Sequence, residues 1–150
     1  MEPTFPEFEP AALPEYALAL DVGDPFAPHG LTRLELEGNG AVAATEVLAE
    51  DRHAAEIRAE RPARSAKGRM DPDTVRFVFQ RLHEFPWGRN FPARPGIPDE
   101  AIVVWTLKRG GVQRQLKMWI GEAEEDPKIA PVLESLRHTL RRLSDNQMYL

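Results

Sequence analysis

Few side chains in this chain have the type and spacing that chemistry requires. The histidines are His29, His53, His83 and His138, and the serines are Ser65, Ser135 and Ser144. Cysteine is absent, which removes disulfides, thiol nucleophiles and thiolate metal sites. Glu50-x-x-His53 has the spacing of a carboxylate-bridged iron site on a helix, with Glu56 further on. Such a site needs a second matching pair and two more carboxylates, and no second Glu-x-x-His occurs. The sequence therefore predicts no metal site. Glu134 and His138 stand four apart, the spacing of a surface pair on a helix. No serine lies in a Gly-x-Ser-x-Gly elbow or a Ser-x-x-Lys pattern. Gly38-Asn39-Gly40 lacks the strand-to-helix setting of a dinucleotide fingerprint, and no Gly-Lys-Ser/Thr follows a glycine run. No catalytic residue and no cofactor is assigned, and the expectation leans away from an enzyme. The alternative is an enzyme with an unadvertised carboxylate or histidine site.

Two segments suit binding better. Phe85-Pro-Trp-Gly-Arg-Asn-Phe-Pro-Ala-Arg94 combines aromatic rings with arginine, the residue types of interface hot spots. Trp87, Arg89, Phe91 and Arg94 are its candidate contacts with a protein partner. The competing expectation is that Trp87 and Phe91 fold back to plug the core. Phe5 and Phe8, separated by Pro6 and Glu7, read as a docking peptide in the N-terminal arm. Arg52, Arg58, Arg61, Arg64, Lys67 and Arg69 form a basic stretch that could meet phosphates. It contains no aromatic ring for base stacking, so nucleic acid is the disfavoured partner.

Charge places these segments in context. The net charge of −5 is uneven. Residues 1–30 carry six acids and no Lys or Arg, whereas residues 31–150 carry 18 acids and 19 bases. The acidity belongs to an arm, residues 1–15, and the body is nearly neutral. Four prolines in the arm point to extended chain. The remaining 16–150 is the length of one domain that can bury a core. No apolar run is long enough to span a bilayer. Met1 to Pro10 has neither the basic nor the apolar region of a secretory signal. With the missing cysteines this points to the cytoplasm.

The elements that must position these residues are legible from periodicity. Tyr16, Leu18, Leu20 and Val22 alternate as in a strand. Leu34 and Leu36 alternate with charges, Gly38-Asn39-Gly40 is a turn, and residues 41–47 return, which predicts a β-hairpin. Residues 48–61 match both helix and strand patterns; the preceding hairpin favours a third meander strand near 53–61. Residues 61–70 are expected as a mobile basic loop. Asp71-Pro72-Asp73-Thr74 starts a helix that carries Val75, Val78, Phe79 and Leu82 and stops before Pro86. Residues 86–100, rich in proline and glycine, form a long loop. Residues 101–107 and 112–120 form a second hairpin about Gly110-Gly111, and 121–126 an acidic loop. Pro127 opens a last helix with Ile129, Val132, Leu133, Leu136, Leu140 and Leu143 on one stripe. The hairpin-plus-helix unit occurs twice, which suggests an internal duplication or simply the common order of such folds. The predicted class is α+β: an antiparallel sheet of about four to six strands with two amphipathic helices on one face. The predicted function is that of a non-catalytic protein-interaction module, such as an inhibitor, immunity-type protein or accessory subunit.

Overall fold

The computed structural model describes residues 8–23, 31–47, 64–88, 101–148 and 150. Six strands form one antiparallel sheet: β1 (Tyr16–Gly23), β2 (Leu31–Glu37), β3 (Ala41–Val47), β4 (Ser65–Arg69), β5 (Ile102–Arg109) and β6 (Val112–Trp119). Their order in space is β4-β3-β2-β1-β5-β6. The first strand thus becomes an interior one, paired with β2 on one side and β5 on the other. It joins the two hairpins into a single sheet.

Register carries the alternating pattern across the whole sheet. Leu20 stands opposite Leu34 and Trp105, and Leu18 opposite Leu36 and Leu107. All six are buried. The alternate side chains lie on the opposite face, half-buried on β1 and exposed on β2, and there Asp21 and Arg33 form an ion pair at 2.7 Å. A slip of one residue would exchange the two faces, so the burial of these rings and leucines fixes the register.

The buried face is covered by helices. In α1 (Pro72–Leu82), Asp71 caps the first turn, accepting from the Thr74 amide at 2.9 Å and from the Thr74 hydroxyl at 2.6 Å. Val75, Val78, Phe79 and Leu82 of α1 face the sheet and are buried. After β6 the chain enters a short helix, α2 (Ile120–Glu125), and then α3 (Ala130–Leu143). Val132, Leu133, Leu136 and Leu140 of α3 complete the core. Each such side chain contributes roughly 1.5–3 kcal/mol by leaving water.

Three expectations are corrected. Residues 121–126 were expected to be a loop, yet Ile120–Glu125 is helical. Glu122 accepts from the Trp119 amide at the start of this helix, and Ala123 is fully buried, so tertiary contact stabilises one and a half turns with little local signal. Pro127 does not open the last helix. Asp126 instead holds a turn by accepting from the Lys128 and Ile129 amides at 2.8 and 3.2 Å, and α3 begins at Ala130. The expected loop 61–70 contains an edge strand, β4, paired with β3 from Ala41↔Arg69 to Thr45↔Ser65. Its inward residues, Ala66 and Gly68, are small because α3 lies close above them. The strand expected near 53–61 falls outside the described residues.

Candidate functional site

Of the six residues assigned to partner contact, Trp87 and Phe8 lie within the described residues; Phe5, Arg89, Phe91 and Arg94 lie outside them. The sheet explains where Trp87 goes. Trp105 of β5 is fully buried, and Phe85 meets it edge-on with ring centroids 5.1 Å apart. Trp87 stacks on Phe85 at 5.8 Å. Its indole N–H donates to the Leu82 carbonyl at 2.7 Å, an oxygen that also accepts from the Phe85 amide at 3.2 Å. Trp87 is therefore half-buried and ties the root of the following segment to the core.

Phe8 lies against the rings of Tyr16 and His83, at 5.9 and 5.7 Å. The end of the arm is not extended: Pro10–Glu15 forms a 3₁₀ helix with Ala12 and Leu13 against the core. Arg109 of β5 holds this strap. Its guanidinium reaches Glu9 at 3.2 Å and Glu15 at 3.5 Å and lies over the Tyr16 ring at 5.2 Å. Desolvation opposes the Arg109 charge, but Tyr16, Glu9 and Glu15 outweigh it and raise its pKa above the ordinary value.

The basic stretch is divided by the fold. Arg64 lies beside Glu46 at 3.8 Å and donates to the Gln147 carbonyl. Lys67 and Arg69 belong to β4, and Arg69 donates to the Asn39 carbonyl at 2.9 Å. Two positive residues of the expected 61–70 loop, Lys67 and Arg69, are thus fixed on an edge strand, and Arg64 immediately precedes it. Arg52, Arg58 and Arg61, and the Glu50-x-x-His53 pair, lie outside the described residues. Among the described residues no group of three or more His, Asp or Glu side chains is placed to hold a metal.

Segments 24–30, 48–63 and 89–100 share a geometric property that the sequence did not disclose. They attach at Gly23 and Leu31, at Val47, and at Ala101 beside Ile102. The sheet pairs Gly23 with Leu31 and Ile102, and Leu31 with Val47. Segments 24–30 and 48–63 and the C-terminal root of 89–100 therefore attach at one end of the sheet, whereas the other root of 89–100, Gly88, follows Trp87 after α1.

A second feature lies elsewhere, between the start of α1 and the C-terminal half of α3. It is a cleft of about 880 Å³. Arg69, Asp71, Glu134, His138, Arg141 and Arg142 are its ionisable lining. Asp71 is engaged as the α1 cap, and the Thr74 hydroxyl and amide hold its pKa below the ordinary aspartate value. Glu134 pairs with Arg137 at 2.9 Å, and not with His138 as its spacing suggested. Arg142 donates to the Arg69 carbonyl at 2.9 Å. The side chains of Arg141 and His138 make no hydrogen bond or ion pair with another described residue. Only the approach of β4 and α1 shows that they share a cleft. No family model, curated protein or solved structure matches the chain.

Proposed function

We propose that this chain is a non-catalytic protein-interaction domain that binds its partner at the end of the sheet where segments 24–30, 48–63 and 89–100 attach. The shared tethering of these three segments is the observation that carries the reading. Binding residues concentrate on connections presented by a rigid scaffold, and here three connections have a root at one end of the sheet. Trp87 supports the reading in a different role from the one its type suggested. Its stacking and its hydrogen bond make it the clamp at the root of the loop. Arg89, Phe91 and Arg94 follow that clamp and supply the contact: a ring for a partner cleft and guanidinium groups for its carboxylates. The arm adds a second contact through Phe5, beyond the point where Phe8 is packed.

The test is quantitative capture from host extract with the full chain and with an Arg89→Glu, Phe91→Ala, Arg94→Glu variant. Loss of a captured protein, with an unchanged melting curve, supports the reading. Equal capture by both chains overturns it. A large fall in melting temperature for the variant also overturns it, because the three side chains would then belong to the core.

A further inference from the structure

We propose that the cleft between α1 and α3 binds a phosphate monoester group, at a site separate from the loop-borne contact. The first ground is uncompensated charge. Arg69, Arg141 and Arg142 line one cleft in a chain whose net charge is −5. No carboxylate among the described residues pairs with any of the three. Of the two acids on the lining, Glu134 is paired with Arg137, and Asp71 keeps its charge as the α1 cap, so three arginines face one carboxylate that has no cationic partner of its own.

The second ground is preorganisation. Arg142 donates one Nη2 bond to the Arg69 carbonyl. That bond restrains its guanidinium while leaving most of its five donors unused. A restrained fork loses little entropy when it closes on a tetrahedral oxyanion. Two further polar side chains stand beside the arginines. The Ser135 hydroxyl and the His138 imidazole line the cleft and make no side-chain hydrogen bond to other described residues. Phosphate oxygens accept from all of these groups.

The lining also selects the kind of anion. A monoester is nearly dianionic at neutral pH and gains about twice the Coulomb attraction of a carboxylate at equal distance. Glu134 and Asp71 interrupt the positive lining, so a polymeric phosphodiester crossing the cleft would pass over carboxylates. A single compact dianion sits among the arginines without that penalty.

The probe is methyl phosphate, followed by amide chemical shifts of the full chain. Sulfate, acetate and a short single-stranded oligonucleotide serve as comparisons at matched ionic strength. Saturable shifts confined to residues 69–74 and 134–142 are expected. Arg141→Glu should weaken binding by about ten-fold or more, the loss of one charge-assisted bond. Arg141→Gln should weaken it in the same direction and replaces the first variant if that fails to fold. Arg76→Glu, on the exposed side of α1 and away from the cleft, should bind as wild type. The proposal is overturned by shifts that do not saturate, by shifts elsewhere, or by equal binding in both Arg141 variants. Acetate binding as tightly as methyl phosphate overturns it too. So does tighter binding of the oligonucleotide with a steep salt dependence, which would mark a nucleic-acid surface.

Discussion

Replacing Gly68 by alanine tests how β4 and α3 meet, beside the proposed phosphate site. A Cβ at position 68 would lie 2.2 Å from one Leu143 methyl carbon, 3.2 Å from the other and 3.3 Å from Cγ. Carbon atoms rest about 3.5 Å apart, so the first contact must open by about 1.3 Å. Turning the leucine tip alone does not clear the other two close atoms, so either the whole side chain swings or α3 lifts. Overpacking of this kind costs about 2 kcal/mol. Against it stands the entropy gained by removing a glycine from a strand, about 0.5–1 kcal/mol. The clash wins, and Gly68→Ala should be net destabilising by about 1 kcal/mol or more. In a Leu143→Ala background the clash is gone while the entropy gain remains. There the same Gly68→Ala change should be neutral or stabilising by up to about 0.5 kcal/mol. Urea unfolding of the four proteins, with m-values compared, measures the coupling. Simple additivity of the two single changes would refute the reasoning, because it would mean that these groups do not compete for one space. The Arg142–Arg69 bond joins residues next to the pair, so a lifted α3 should also weaken methyl phosphate binding.

Other perturbations have equally definite outcomes. At Gly38 an added Cβ would lie 1.6 Å from the Leu13 carbonyl oxygen, a backbone atom that cannot rotate away. Gly38→Ala should cost about 3 kcal/mol and make residues 8–15 newly sensitive to limited proteolysis. Trp87→Ala should cost about 3 kcal/mol, whereas Trp87→Phe, which keeps the stack but loses the indole bond to the Leu82 carbonyl, should cost about 1 kcal/mol by the same urea assay. Asp71→Ala removes the α1 cap and lowers stability at neutral pH. The folded Asp71 pKa lies below the ordinary value of 3.8, so its stabilisation is present above that value and is lost as pH falls through the folded one. The difference in melting temperature between wild type and Asp71→Ala should therefore shrink in acid, and a difference independent of pH would contradict the capping assignment.

The strands and major helices of this chain were legible because their signals are local. Leu34 and Leu36 against Glu35 and Glu37, followed by Gly38-Asn39-Gly40, specify a hairpin through side-chain alternation and turn chemistry alone. Asp71-Pro72 specifies where α1 begins, because the cap is satisfied within four residues. β4 escaped notice because Ala66 and Gly68 carry no hydrophobic signal; their smallness becomes meaningful only once Leu143 lies above them. α2 escaped because its cap and its buried Ala123 depend on packing after β6. Trp87 illustrates the same limit. Its type marked it as an anchor, but the Leu82 carbonyl and the Phe85 ring decide which way it points.

The sequence by itself determined the α+β class, the two hairpins, the cap of α1 and the contrast between an acidic arm and a near-neutral body. These depend on neighbours a few residues apart. The tertiary structure alone decided that β1 joins the hairpins, that three connections have a root at one end of the sheet, and that Arg69 meets Arg141 and Arg142 in one cleft. Each of those facts requires segments distant along the chain to be brought together by burial of a shared core, and burial reads the sum of apolar surface without leaving a local mark on any one segment.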